Sequence, residues 1–163
     1  MIIYFVLLII QICFAWVYSL ALEYFIHSIL HDNKEYPFFF KNHFGKHHKE
    51  ARKNKMYDKN YENVFSKTSL FEIFGLFSLA IMHLPLSYFY PVGYLALVAS
   101  LLHYYYIHRK SHINPKWAKK HLRWHYDHHM GRNQHANWGI RTEYFDVKFE
   151  TRIKYRYLKE GKK

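Results

Sequence analysis

"MIIYFVLLIIQICFAWVYSLALEYFI", residues 1–26, contains no lysine or arginine, and Gln11, Ser19 and Glu23 are its only clear polar interruptions. About 20 apolar residues cross the hydrocarbon of a bilayer as a helix, so the stretch predicts a transmembrane helix over about 2–26. A cleaved signal peptide would need a basic leader, a shorter apolar run and a small-residue cleavage site, and none is present. A second charge-poor region lies at 68–108. There "SLFEIFGLFSLAIMHL" and "VGYLALVASLLHYYYI" flank "PLSYFYP", whose Pro85 and Pro91 break a helix. That pattern predicts a helical hairpin, with arms near the lower length limit for spanning and therefore crossing or re-entrant. The expected fold is an all-α integral membrane protein. It has about three transmembrane helices and a cytoplasmic helical cap that carries the histidine clusters. Residues 1–163 form one unit: helix 1 over about 2–26, a basic loop at 32–67, the hairpin at about 68–108, and the cap and tail at 109–163.

Charge supports this division. The 163 residues carry 24 Lys and Arg against 12 Asp and Glu, a net charge of +12. Every one of those basic residues lies in 32–67 or 109–163. With helix 1 crossing once and the hairpin going out and back, both basic segments fall on one side. The positive-inside rule makes that side cytoplasmic, at a bacterial inner membrane or an endoplasmic reticulum. A basic, aromatic chain could also bind nucleic acid, and "KNHFGKHHKEARKNK" resembles such a patch. Because that segment follows a membrane helix, contact with anionic headgroups explains its charge more simply, and no nucleic-acid partner is expected. "YYY" at 104–106 reads as part of an interfacial aromatic belt. The lone Cys13 lies in an apolar run and reads as a small hydrophobe. "RIKYRYLKEGKK" at 152–163 either lies on the membrane as an amphipathic segment or frays.

The same topology gathers histidines. "HSILH" holds His27 and His31, "HFGKHH" holds His43, His47 and His48, "HYYYIHRKSH" holds His103, His108 and His112, and "HLRWHYDHH" holds His121, His125, His128 and His129. Residues i, i+3 and i+4 share a helix face, so the imidazoles of one cluster can reach one ion, and His121 adds a turn on the side of His125. All four clusters converge on the cytoplasmic face, and only His83 lies opposite. Neutral imidazole ligates zinc, iron, copper and nickel. A structural zinc takes four ligands and a catalytic one three plus water, so ten or more histidines fit two ions better than one. In the third cluster, His108 with His112 lies about 40° apart on a helix, against about 140° for His103 with His108.

These clusters, in this order, resemble the histidine boxes of the fatty acid hydroxylase/sterol desaturase superfamily of integral-membrane enzymes. "LEYFIHSILH" is similar to that family's opening box, with Ser28 for the usual Arg. "NWGIRTEYFDVKFET" at 137–151 resembles its closing stretch, with Trp138 for Phe and Glu150 for Gly. The short chain is also similar to the small carotenoid hydroxylases, whose third box favours His103, while the tail resembles the acyl branch. The resemblance implies two iron ions, with zinc a possible occupant as isolated, held by His27, His31, His43, His47, His48, His108, His125, His128 and His129, with His103 or His112. It further implies O2 as oxidant and an external electron donor, a redox partner such as a cytochrome b5 or ferredoxin. The implied reaction is hydroxylation of a C–H bond in a membrane lipid (fatty acyl, sterol or carotenoid), with desaturation as the alternative.

Asp127, Glu23, Asp146 and Asn137 lie near the boxes in sequence, and any one of them could take the second ring N–H of a ligating histidine; Asp127 reads alternatively as part of a solvated helix face. His121 and His135 read equally as ligands, supporting groups or exposed rings. A non-catalytic membrane metal-binding or transport protein is the competing class. It should place ionisable residues inside its spans, where only Glu23, Glu72 and His83 stand.

Overall fold

Prolines and short polar side chains set where the helices begin. Pro37, Pro91 and Pro115 each open a helix, where a missing N–H costs nothing. Asn114 also caps the helix that Pro115 opens, and Ser66 caps a fourth, by accepting the backbone N–H of Trp117 and Ser69 respectively. The computed structural model describes residues 1–156; the end of the basic tail, 157–163, lies outside the described residues. Among the described residues the secondary structure is helical, without strands. It comprises α1 (Ile2–Ile29), α2 (Pro37–Asn42), a π-helix (His43–His48), α3 (Lys49–Lys53), a 3-10 turn (Lys59–Glu62), α4 (Lys67–Met82), α5 (Leu86–Phe89), α6 (Pro91–Ile113), α7 (Pro115–His121), α8 (Arg123–Met130) and α9 (Tyr144–Lys148).

α1 is long and apolar enough to cross a membrane, and among the described residues it is the one helix that is. α4 and α6 form the hairpin read from the sequence, with α5 at its turn. At 16 residues α4 is about 24 Å long, short of the hydrocarbon thickness, and the second half of α6 exchanges aliphatic residues for tyrosines and histidines. The segment expected to be a basic loop, 32–67, is instead largely helical. Its charges obscured the pattern, because those turns take their helical form around histidines rather than around an aliphatic stripe.

α1, α4 and α6 share one apolar seam. Ala15, Leu97 and Leu101 form its buried core, with Leu22, Leu76 and Leu79 packed against it. The outward faces of these helices carry Phe14, Phe74, Phe77, Leu95 and Leu102, all exposed. The short helices close over the ends of α1 and α6. Tyr24, Trp138 and Phe145 pin the 136–149 segment to α1, and Met56, Ala118 and Tyr126 join α7 and α8 to the turn after α3.

Candidate metal centre

Two histidine groups occupy the junction where α1 and α6 meet the cap. His27, His31, His43, His48 and His128 form the first group, and His47, His108, His112 and His129 the second. Within each group, one ring nitrogen per residue lies within 4.8 Å of every other, and all nine residues are buried. The groups interleave: adjacent His47 and His48 serve different groups, as do adjacent His128 and His129. Neighbours on a helix point about 100° apart, so one short helix serves both sides. The π-helix widens this reach. In an α-helix His43 and His48 would face about 140° apart; the i→i+5 winding brings them into the same group.

The remaining expected ligands divide cleanly. His125 is fully buried, its Nε2 3.4 Å from that of His112 at the edge of the second group. His103 is brought to neither group and lies tilted against Trp16, with ring centres 5.4 Å apart. On α6 it lies on a different face from His108, whereas His112 sits one turn further along the same face. His121 ends α7 as an exposed residue, because Leu122 leaves helical geometry and separates it from α8. His135 is exposed, its ring 5.5 Å from that of His31.

Hydrogen bonds fix which nitrogen six of the nine rings offer. Nδ1 donates to the Trp138 carbonyl from His27 (2.6 Å), to Met56 from His112 (2.9 Å) and to Ala136 from His128 (2.7 Å). It donates to Gln134 Oε1 from His48, to Asp58 Oδ2 from His47 and to Glu72 Oε1 from His108. These acceptors carry no proton to give, so Nδ1 holds the hydrogen and Nε2 is left as a bare lone pair. Yet His108 Nε2 lies 3.2 Å from His112 Nε2, and His128 Nε2 lies 3.1 Å from His48 Nε2. Two lone pairs facing at that distance repel unless a cation sits between them. On one ion with bonds of about 2.1 Å, ligand nitrogens stand about 2.9–3.4 Å apart. The Nε2 atoms of His27, His43 and His47 are also buried without a hydrogen-bond partner. The residues therefore fit a pair of imidazole-liganded transition-metal ions, iron and zinc included.

Burial holds these rings neutral, the form that ligates. It pushes His43, His47, His48, His125, His128 and His129 well below the ordinary imidazole value of 6.5, and repulsion from the other imidazoles adds to it. Unfolded, these histidines take up protons as the pH falls through 6.5; folded, they do not. Stability is thus fully present above about pH 6.5 and is lost below it, each ring adding up to about 1.4 kcal/mol per pH unit. Thermal melts of the metal-free protein should show a steep fall in Tm on acidification below that value. A flat profile would mean that the rings are not held neutral.

Sequence proximity misplaced the supporting groups. None of Asp127, Glu23, Asp146 and Asn137 bonds a ligand ring; Glu23, Asp146 and Asn137 hold the backbone around the residues that do, and Asp127 pairs with Arg123 and Arg152. Asp146 accepts the N–H groups of Trp138 and Gly139, and Glu23 accepts those of Ile140 and Arg141. A side chain at Gly139 would overlap the Thr142 carbonyl. Asn137 takes φ 61°, a left-handed backbone that asparagine tolerates, between the two residues whose carbonyls orient His128 and His27. Met56, which orients His112, stands at φ 77°, where a long side chain is strained.

The groups that do touch ligand rings, Asp58, Glu72 and Gln134, lie 11, 36 and 86 residues from their histidines. Both carboxylates serve the second group; the first relies on neutral acceptors. Asp58→Asn and Glu72→Gln should therefore each weaken metal binding at the second group by roughly 10–100-fold and leave the first unchanged. Site-resolved titration with a spectroscopically active ion such as cobalt(II) would measure the difference.

One cavity of about 70 Å3 touches both groups, with His43, His47 and His108 in its wall beside Tyr61, Phe71 and Tyr104. The family model for fatty acid hydroxylases matches residues 12–151 of the chain, a range that contains both histidine groups. No curated protein and no solved structure matches it.

Proposed function

The chain belongs to the fatty acid hydroxylase family, and from that premise we propose that it is a membrane-embedded di-iron oxygenase that hydroxylates a C–H bond of a lipid. The observation that carries this reading is the pairing of bare Nε2 atoms at 3.1 and 3.2 Å, each ring tied back through Nδ1. The first ion would be held by His27, His31, His43, His48 and His128, the second by His47, His108, His112 and His129, with His125 beside it. Bound there, the iron pair would supply the O2 chemistry, drawing electrons from a separate redox protein.

The protein's own contribution is threefold. Carbonyls and carboxylates fix the tautomer and aim of six of the nine rings. The cap keeps the rings away from water: those of the second group are at most 2% exposed. The cavity at His43, His47 and His108 presents a carbon of the substrate to both groups at once.

We further propose three membrane crossings, by α1, α4 and α6, with both histidine groups on the cytoplasmic side. The exposed aromatic and aliphatic faces of these helices support that arrangement. Lipid mass spectrometry on cells expressing the wild type beside His128→Ala tests the reaction. A lipid gaining one oxygen atom only with the wild type is the expected result, and a loss of two hydrogens would mean desaturation. Identical lipid profiles would overturn the assignment.

A further inference from the structure

We propose that the cavity beside the histidines admits a lipid with an anionic headgroup, held by Lys46 and Lys67, and presents a carbon close to that headgroup for oxidation. This rests on the oxygenase reading and adds the substrate class to it. The two ends of the cavity wall differ in kind. His43, His47 and His108 are buried, whereas Lys46 and Lys67 are exposed and form the rim with Asn42 and Thr68. Lys46 Nζ donates to Asn42 Oδ1 at 2.8 Å, which keeps its charge at that rim. Lys67 is the first residue of α4, where the partial positive charge of the helix end adds to its own. The one acidic residue in the wall, Glu72, is already engaged by His108 and by the Tyr61 hydroxyl. The rim is thus net positive.

An apolar approach leads to it. α2 begins "PFFF", and its Phe38 and Phe39 are exposed, 64% and 44%. Their rings lie 6.0 and 6.1 Å from that of Phe71, which lines the cavity. Exposed phenylalanines beside an opening suit an acyl chain arriving from the bilayer. Lys67 marks the level at which the charged chain gives way to the 68–108 stretch, which has no lysine or arginine. A lipid at that level keeps its headgroup in the interface and its tail along α4. The histidines lie at the same level, closing α1 and α6. The carbons within reach are therefore those near the polar end, and the terminal methyl remains in the bilayer. A carboxylate and a phosphate are both anions of suitable charge.

The test uses the full-length protein in phosphatidylcholine nanodiscs, with palmitate, hexadecyl phosphate and hexadecanol as probes of equal chain length. Binding of palmitate or hexadecyl phosphate should exceed that of hexadecanol by roughly tenfold, as expected for two exposed ion pairs near the middle of their usual strength. The better anion identifies the headgroup. The double variant Lys46→Gln, Lys67→Gln should bind the anions no better than the alcohol and bind hexadecanol as the wild type does. Equal wild-type binding of all three, a preference that survives in the variant, or no binding at all would overturn the proposal. Metal content is measured on the same samples. Absence of metal alongside an intact headgroup preference would sink the di-iron reading and leave the headgroup assignment standing.

Discussion

Removing the rings of one histidine group should cost the protein one metal ion and leave the other in place. The triple variant His31→Ala, His48→Ala, His128→Ala leaves His27 and His43 in the first group; His108→Ala and His112→Ala, with His125→Ala to remove the ring at its edge, leave His47 and His129 in the second. Two imidazoles do not close a coordination sphere that needs three or four. Each variant should therefore retain about half the wild-type metal and lose all detectable oxygenation. The surviving ion is the internal control, because a misfolded chain would hold neither. His103→Ala, His121→Ala and His135→Ala should keep the full complement, since none of these rings belongs to either group. Inductively coupled plasma mass spectrometry on the purified variants measures both effects. Loss of both ions from each of the two group variants, with their helical circular dichroism unchanged, would mean one merged site rather than two.

Arg141→Met should destabilise the fold by about 3–5 kcal/mol, the usual cost of stranding one half of a buried ion pair. The Arg141 side chain, 4% exposed, enters between α1 and α6. Its Nε reaches Glu23 Oε2 at 2.6 Å, and its terminal nitrogens reach Ser100 Oγ at 2.6 Å and Ser19 Oγ at 3.1 Å. Removing it leaves the Glu23 carboxylate, 2% exposed, without its counter-charge at the end of an apolar helix. The effect should extend to the histidines. Glu23 and Arg141 latch the segment whose Ala136 and Trp138 carbonyls aim His128 and His27. Loosening that latch should lower metal affinity at the first group and spare the second. The double variant Glu23→Met, Arg141→Met should recover part of the lost stability, because apolar side chains of similar volume can replace a buried pair. Denaturant titration in detergent, read with metal content, separates the two effects. An Arg141→Met protein as stable as the wild type would show that the pair does not hold the 136–149 segment to α1 and α6.

Much of this was legible in the sequence, because the clustering and order of the histidines are local features. Helix spacing placed His27 with His31 and favoured His112 over His103 as the partner of His108, although the resemblance to the carotenoid hydroxylases favoured His103 and the choice stayed open. The family pattern's glycine is also legible in hindsight: Glu150 stands in its place at φ 58°, a backbone that favours glycine. The division into two groups was not legible, since it turns on which side of a short helix each of two adjacent histidines faces. A π-helix leaves no periodic signature that separates it from a charged loop. The continuous face expected for His121 to His129 failed at Leu122, one residue with a non-helical backbone. The partners of the ligand rings escaped because three are backbone carbonyls and the others come from distant segments. Glu72 stood out only as an ionisable residue within an apolar helix; its bond to His108 explains why it is there.

The claim on which the rest depends is that bare imidazole nitrogens of two neighbouring groups each enclose a transition-metal ion. X-ray absorption at the iron edge, on full-length protein loaded anaerobically with iron(II) and calibrated for iron per chain, tests it most directly. The account predicts two irons per chain in shells dominated by imidazole nitrogen. One iron or none, or shells without the imidazole signature, would contradict it.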